Sequence, residues 1–452
     1  METDNVNPLI RLPLRRGLFR LAGPMFASAL LQNAQSLIDL FWVGKLGAEA
    51  VAALSLSGAV LFLMWPLVMG LSTGTVALVS RHVGAGRPDK AAAAAGQSVG
   101  LSLLAGALVG GAGLLGLNAL LRLLDAEPAV AALARQYLTI SFLGFFTVFL
   151  LAVSTGAMQA AGNALLPMAG MILANLINLA LDPVLIFGWL GFPALGVRGA
   201  AWATVFSQAA ACALVAAGLF RGVPRLKIGW RHLAPRLGPS WQIFRIGIFS
   251  SAQMLARSLM VFVLFRIVAA CGTAALAGYG IGMRFHQIVL LPCFVLGNAA
   301  AALVGQNLGA DQPDRATRAG WLAAGIGMAL NTAAALALVL LAPLLTGAFT
   351  DDPAVIAVSV DYLRLVSPFY IFAAMGIILG RSMNGAGDTV PTMVIAILTL
   401  WGIQVPLAYA LARAFEPATT GVWWSIAISN TLNGLLTAAW FTVGRWKRLK
   451  LG

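Results

Sequence analysis

Long stretches without a charged residue recur along the whole chain, separated by short polar segments. Two of the clearest run from Leu101 to Leu121 and from Leu322 to Thr350. Each is long enough to cross a hydrocarbon layer of about 30 Å, which takes about 20 helical residues. The apolar runs are continuous and do not alternate with polar residues, which favours helices over a barrel of strands. The pattern therefore predicts an all-α membrane protein.

Twelve such spans can be placed, in two sets of six. The first set covers residues 18–43, 51–80, 91–121, 130–158, 165–188 and 196–220. The second set covers residues 240–270, 275–304, 316–341, 355–383, 390–412 and 421–443. An even number of spans places both termini on the same side of the membrane.

The two sets repeat one another at a constant offset of 225 residues. Because each half has six spans, the halves share one orientation and are expected to be related by an axis along the membrane normal, as in transporters with parallel repeats. The matching residues include Gly47 with Gly272, Pro88-Asp89-Lys90 with Pro313-Asp314-Arg315, Met158 with Met383, and Ala161-Gly162 with Ala386-Gly387.

The longest polar connector lies between the two halves and contains three prolines, Pro224, Pro235 and Pro239. Proline-rich polar segments are typical of linkers. We therefore divide the chain into an amino-terminal lobe (residues 1–220), a cytoplasmic linker (221–239) and a carboxy-terminal lobe (240–452).

The basic residues are distributed by side. The chain carries 29 Lys and Arg against 15 Asp and Glu, a net charge of +14. Cytoplasmic segments of membrane proteins are enriched in Lys and Arg, so this distribution predicts a multi-pass inner-membrane protein with both termini in the cytoplasm. It does not indicate nucleic-acid binding. The basic residues on this side include Arg11, Arg15, Arg16, Arg20, Arg81, Arg87, Lys90, Arg221, Arg225, Arg231, Arg315, Arg318, Arg445, Lys447 and Lys450.

Motifs of other protein classes are missing from the sequence. The polar amino terminus precedes the first span without a cleavable signal peptide. The three cysteines, Cys212, Cys271 and Cys293, have no disulfide or zinc-site spacing. We find no phosphate-binding loop, nucleophile elbow or zinc motif in a fitting context. Duplicated lobes suit rocking about a central cavity, so we predict a transporter, not an enzyme, with no cofactor and driven by an ion gradient or by a partner.

Two acidic residues lie inside predicted spans, where charged side chains are costly and usually functional. Asp39 and Asp182, together with Thr204, lie roughly 7–12 Å from the nearest outer helix end at 1.5 Å per residue. Asn178 lies one turn from Asp182. We predict a cation site of Asp39, Asp182, Asn178 and Thr204. Two close carboxylates can share and release a proton, and the oxygens of Asp39, Asp182 and Asn178 would equally suit Na⁺ as the metal.

Other polar and flexible side chains in the first lobe are candidates for a substrate cavity. They are Gln35, Asn175, Met171, Ser207 and Met64, with methionine valued for its adaptable packing. Pro24 is a candidate helix bend on the helix that carries Asp39. Packing between helices is the alternative role for each of these residues.

The buried charges of the second lobe are basic instead. They are Arg257 and Arg266 in the seventh span, and Arg284 with His286 in the eighth. Arg266 can reach the interface. We expect Arg257 and Arg284 to bond carbonyls or polar groups of the lobe, and His286 to be either structural or a proton relay.

Several segments resemble the MATE (multidrug and toxic compound extrusion) family over nearly the whole chain. They are Arg20-Leu-Ala-Gly-Pro24, Val83-Gly-Ala-Gly-Arg-Pro88, Leu181-Asp-Pro-Val-Leu-Ile-Phe187, Gly196-Val-Arg-Gly-Ala-Ala201, Val304-Gly-Gln-Asn-Leu-Gly-Ala310 and Gly380-Arg-Ser-Met-Asn-Gly-Ala-Gly-Asp-Thr389. The resemblance implies twelve helices in two pseudo-symmetric lobes arranged as a V. It also implies export of amphipathic, often cationic drugs in exchange for H⁺ or Na⁺.

Branches of this family place their coupling carboxylates differently. The NorM-like branch has a Glu in the seventh helix and an Asp in the tenth, where this sequence has Arg257 and Ala373. The DinF-like pattern falls on Pro24, Asp39, Asn178 and Asp182. We therefore expect a DinF-like antiporter, coupled in its first lobe to H⁺ ahead of Na⁺. We expect it to act as a monomer in the lipid bilayer on small amphipathic or cationic substrates. A flippase for a lipid-linked or lipid-like substrate is the alternative.

Overall fold

The computed structural model describes residues 8–449, which are helical over most of their length. The predictions for residues 1–7 and for Lys450 fall outside the described residues. The helices are α1 (Pro8–Arg11), α2 (Leu14–Gly44), α3 (Ala48–Gly84), α4 (Pro88–Leu123), α5 (Pro128–Leu143), α6 (Phe145–Ala160), α7 (Leu165–Phe187), α8 (Val197–Arg221), α9 (Leu237–Ala269), α10 (Thr273–Gly309), α11 (Pro313–Gly347), α12 (Pro353–Val366), α13 (Tyr370–Gly385), α14 (Thr389–Ile397), α15 (Val405–Ala414) and α16 (Ala418–Val443).

The predicted spans correspond to these helices, and three of them are interrupted. The fourth span is the pair α5–α6, bent by 49°. The tenth span is α12 and α13, separated by the 3₁₀ turn Ser367–Phe369. The eleventh span is α14 and α15 joined by a π-helical segment, Leu398–Gln404. Within the described residues, ten helices are long and apolar enough to cross a membrane, or up to eleven with the bent pair. The remaining predicted span is α2, a 31-residue helix that carries Gln32, Asn33, Gln35 and Asp39.

The predicted duplication is visible in the backbone. Gly47 and Gly272, which precede α3 and α10, both have φ of 112°. Gly162 and Gly387 have φ of 92° and 90°. Side chains strongly disfavour this region of φ, so glycine is the natural residue at these four turns. The all-helical fold with two similar halves is thereby confirmed.

The chain divides into two compact units. In the described range, the first unit comprises residues 8–11 and Phe19–Ile248. The second unit comprises Leu12–Leu18 and residues 249–449. Each of the helices α2 and α9 therefore contributes to both units.

The predicted linker packs on α4 through one buried amide. Gln97 is 3% exposed. Its Nε2 donates to the carbonyl oxygens of His232 (2.9 Å) and Ala234 (2.7 Å). Its Oε1 accepts from the backbone N–H of Arg236 (2.8 Å) and from the hydroxyl of Ser240 (3.0 Å). All four hydrogen-bonding positions of the amide are thus satisfied.

Glycines allow α4 to approach α5 and α6 closely. A Cβ atom at Gly110 would lie 2.4 Å from the carbonyl oxygen of Phe142, and one at Gly106 would lie 2.5 Å from the Cα of Phe146. Gly111, the next residue and about 100° further around the same helix, has no such neighbour within 4 Å. The small residues therefore set the distance between these helices.

We expect Gly110→Ala to destabilise the protein by about 1–3 kcal/mol, because the added methyl group meets backbone that cannot rotate away. Gly111→Ala is the matched control and is expected to be neutral or slightly stabilising. Thermal unfolding of the two purified variants in detergent measures the difference. Equal unfolding temperatures would contradict the described helix packing.

Candidate functional site

The structure brings the four predicted coupling residues together in the first unit. Asp39 lies on α2, Asn178 and Asp182 on α7, and Thr204 on α8. The hydroxyl of Thr204 donates to Oδ2 of Asp39 at 3.4 Å, and Nδ2 of Asn178 donates to Oδ1 of Asp182 at 3.5 Å. The side chains of Asn178 and Asp182 also interact with that of Asp39.

Local features of α7 and α8 explain this placement. Gly188 ends α7 in the left-handed region, with φ of 77°, and the following loop folds back so that Leu195 N–H donates to the Leu185 carbonyl at 2.9 Å. A Cβ atom at Gly199 would lie 2.3 Å from that same carbonyl oxygen. Only a glycine at this position lets α8 lie against α7 closely enough for Thr204 to reach the acidic residues.

The site holds more acceptor oxygens than donors. Asp182 and Asn178 are fully buried, and Asp39 and Asn175 are each 8% exposed. Oδ1 of Asp39, Oδ2 of Asp182 and Oδ1 of both asparagines are buried with no hydrogen-bond partner among the described residues. Within residues 8–449, no ion pair forms at this site. The ion pair between Arg231 and Asp89 lies at the linker. Buried oxygens in this state need a donor, which a proton on a carboxylate, a bound cation or a buried water molecule can supply.

An apolar cluster covers the site on the side where α2 and α7 end and α8 begins. We call it the apolar cap; its buried members are Val43, Ala50, Tyr137, Ile140, Ile186, Val197, Ala200 and Ala201. Trp42 packs edge-on against Phe187 at 6.1 Å and against Trp189 at 6.0 Å. The cap separates the acidic residues from the helix ends.

Tyr137 is a site residue that the sequence analysis missed. It lies on α5, is 6% exposed, and interacts with Thr204 and with the charges of both Asp39 and Asp182. A signal was available in the sequence. Tyr137 lies nine residues after the first residue of α5. Counted from residue 130, where the predicted span begins, its depth is about 10 Å at 1.5 Å per residue. This is the depth used to group the two acidic residues.

The candidate cavity residues of α2, α7 and α8 lie on the side of this site away from the apolar cap. Nε2 of Gln35 donates to the hydroxyl of Ser207 at 3.3 Å. Gln35 lies about one turn before Asp39 on α2, and Ser207 lies about one turn after Thr204 on α8. Nδ2 of Asn175 donates to the Met171 carbonyl at 2.8 Å. Met171 and Met64 are partly buried, and their place in a substrate cavity stays a prediction.

Pro24 lies inside α2, which continues unbroken from Leu14 to Gly44. A proline here leaves the carbonyl of Arg20 without its helical N–H donor. The hydroxyl of Ser28 donates to the Pro24 carbonyl at 2.9 Å. The predicted bend at Pro24 remains a prediction.

The donor set fits a small monovalent cation better than a transition metal. In the part of the chain that the structure describes, no group of three or more His, Cys, Asp or Glu side chains lies together. A bound Na⁺ would be held by the two carboxylates with amide and hydroxyl oxygens, which suit a hard cation. The unpartnered oxygens of Asp39, Asp182, Asn175 and Asn178 fit that role, and a proton would equally satisfy a carboxylate.

The basic residues of the second unit separate into two groups. Arg284 is exposed, and its guanidinium lies 5.9 Å from the ring of Phe349. Arg257 and His286 interact with one another in the interior. The expected bond from Arg257 to a carbonyl is not present among the described residues.

Duplicated helical halves in a membrane, with a buried polar site in one of them, are typical of a membrane transporter. A sequence profile of the MatE family matches residues 24–184 and 250–410, one segment in each half. The chain belongs to the MatE family and is a membrane transporter, not an enzyme, as the sequence predicted.

Known proteins resemble the chain over nearly its full length. The "Probable multidrug resistance protein NorM" of Thermotoga maritima is 25% identical over 450 residues, which cover 96% of this chain and 94% of that protein. The "FAD transporter" of Shewanella oneidensis is 27% identical, with 94% of each chain covered. A crystal structure of MATE in the bent conformation has a TM-score of 0.90 and 26% identity, with 96% of each chain covered.

We expect Asp182→Asn to leave the unfolding temperature unchanged or to raise it, because the amide removes the cost of burying a charge. Gln97→Leu is the control: it removes a buried amide with all its hydrogen bonds formed, and is expected to lose about 1–3 kcal/mol. Thermal unfolding in detergent compares the two. If Asp182→Asn loses as much stability as Gln97→Leu, the acidic pair holds the helices together and is not a site for ions.

Proposed function

We propose that the protein exports amphipathic, often cationic small organic molecules from the cytoplasm in exchange for H⁺ or Na⁺, by alternating access. The observation that carries the proposal is the pair of buried acidic residues, Asp39 and Asp182, which lack a basic partner among the described residues and leave carboxylate oxygens without donors. The names of relatives such as the Thermotoga protein support multidrug efflux. The Shewanella relative is named for FAD, so the cargo differs among relatives.

The proposed coupling uses competition between two ligands. The cation is held by Asp39 and Asp182 beneath the apolar cap. The hydroxyl of Thr204 and the amide of Asn178 donate hydrogen bonds to these two carboxylates. Binding of the cation draws α2, α7 and α8 together and weakens the hold on the organic molecule nearby. Antiport requires only that each ligand lower the affinity for the other. Among the candidate cavity residues, Gln35 and Asn175 are polar residues on the same helices as the acidic pair. We propose that they contact the organic molecule.

The position of the acidic residues favours the DinF-like branch over the NorM-like branch. In the second unit, Arg257 and Ala373 occupy the positions where the NorM-like pattern has carboxylates. We therefore place the coupling site in the first unit only. The proposed orientation follows the basic residues: both termini in the cytoplasm, in the inner membrane, with the monomer as the working form.

Asp39→Asn is expected to abolish gradient-driven transport, because an amide can neither exchange a proton nor offer two anionic oxygens. The measurement is efflux of a fluorescent cationic dye from proteoliposomes with an imposed ion gradient. Asp361→Asn is the matched control, since Asp361 is exposed on α12, and it is expected to keep full activity. A fully active Asp39→Asn protein would exclude this coupling site.

Ion replacement identifies the coupling ion, for which we place H⁺ first. In Na⁺-free buffer, an imposed pH gradient is expected to drive dye transport, and a protonophore is expected to stop it. If transport instead requires a Na⁺ gradient and continues with the protonophore present, the two acidic residues hold Na⁺. Asp182→Asn is expected to reduce the ion-driven rate at least about tenfold in either case, which corresponds to about 1.4 kcal/mol.

A further inference from the structure

The interior of the second unit carries unpaired positive charge. Arg257 lies on α9, deep within the unit, yet part of its side chain remains accessible. Neither an ion pair nor a hydrogen bond to its guanidinium is present within residues 8–449. Charged side chains inside membrane proteins usually pair with one another or line a ligand pathway, so an unpaired guanidinium that remains accessible in the interior points to a site for a ligand.

Oε1 of Gln253, one turn before Arg257 on α9, accepts from Nδ2 of Asn384, three residues after Arg381 on α13, at 3.2 Å, which places Arg381 at a similar level to Arg257. His286 on α10 interacts with Arg257, and the Nδ1 atom of His286 is buried without a hydrogen-bond partner among the described residues. The imidazole packs edge-on against Tyr370 at 5.1 Å. Arg381 on α13 also interacts with the charge of Arg257. No acidic group is among the neighbours that act on these three side chains.

Arg381 is held in place by groups that leave its charge uncompensated. Its Nη1 donates to Oδ1 of Asn298 at 2.6 Å, and its guanidinium lies 5.3 Å from the ring of Phe294. Its aliphatic part packs on α10, where a Cβ atom at Gly297 would lie 2.9 Å from its Cδ. A neutral amide and a ring fix the direction of the side chain, while the remaining N–H donors stay available.

We propose that Arg257 and Arg381 form a binding site for an oxyanion, the carboxylate or phosphate group of an amphipathic molecule. His286 lies at the edge of this site, because its partner Tyr370 is about three turns along α13 from Arg381. Guanidinium groups bind carboxylates and phosphates through paired hydrogen bonds, which a carbonyl of the protein does not replace. The site deepens the proposed function and rests on it, since it extends the cargo from cations to molecules that also carry a negative group. The source is either a small organic solute or a lipid headgroup, and the test separates the two.

The experiment measures equilibrium binding and needs no ion gradient. The purified full-length protein in phosphatidylcholine nanodiscs is titrated with rhodamine B and, separately, with its ethyl ester, which differ only in the free carboxylate. A second arm offers mixed phosphatidylcholine and phosphatidylglycerol and measures which lipid is enriched around the protein. Each arm uses the wild type, Arg257→Gln, Arg257→Lys and Arg266→Gln. Arg266 is the matched control, an exposed arginine on the same helix.

We expect the wild type and Arg266→Gln to prefer rhodamine B over its ester about tenfold, or to enrich phosphatidylglycerol, since a charge-assisted hydrogen bond supports a difference of this size. Arg257→Gln is expected to lose the preference and Arg257→Lys to keep part of it. A dye preference identifies a solute as the source, and a lipid preference identifies a headgroup. The proposal is overturned if the wild type shows no preference in either arm, or if Arg257→Gln keeps it.

Failure of this proposal is distinguishable from failure of the antiport mechanism. Binding of the ester without a preference for the carboxylate would remove the oxyanion site and leave the cation-coupled export intact. Loss of transport with an intact preference for the carboxylate would instead exclude the antiport mechanism and leave the oxyanion site intact.

Discussion

The balance of hydrogen-bond donors and acceptors inside each unit is the constraint on which this protein depends. Hydrocarbon offers no partners, so a polar group in a membrane protein is satisfied by the protein or by something that the protein binds. Around Asp39 and Asp182 the excess is of acceptors. Around Arg257 the excess is of positive donors. An excess of acceptors favours binding of a positively charged group, and an excess of positive donors favours binding of a negatively charged group.

The helices around the acidic pair are built to keep this imbalance. Close packing of α7 and α8 at Gly199 brings oxygens together, and the apolar cap lies between the site and the end of α2 at Gly44. The buried members of the cap are apolar apart from the phenol of Tyr137, so an opening of the cap would be one route for an ion to the acidic residues. The edge-on contacts of Trp42 with Phe187 and Trp189 are the ones that such an opening would break.

The sequence was sufficient to predict the spans, the duplication and the depth of the polar residues. Hydropathy reports which segments enter the membrane, and 1.5 Å per residue reports how far each residue lies from a helix end. That arithmetic grouped Asp39, Asp182 and Thr204, which the structure brings together. It also applied to Tyr137, but its phenol is less conspicuous than a charge within an apolar run.

Direction around a helix was harder to predict than depth. Whether Arg257 and Arg381 face one another depends on packing between α9 and α13, which are far apart in the sequence. The bend between α5 and α6 and the π-helical segment before α15 have no simple signal either. A glycine such as Gly144 permits a bend without requiring one, and it contacts Val205 of α8 only in the folded chain.

The π-helical segment Leu398–Gln404 has a consequence for the symmetry of the two halves. A π-bulge amounts to one residue inserted into an α-helix, and one residue turns a helix by about 100°. Leu407, which stands at the offset position of Asp182, follows this segment and is therefore rotated away from the direction that Asp182 has on the regular helix α7. An aspartate placed at position 407 would therefore not point as Asp182 does, so the constant offset of 225 residues no longer pairs side-chain directions beyond this segment.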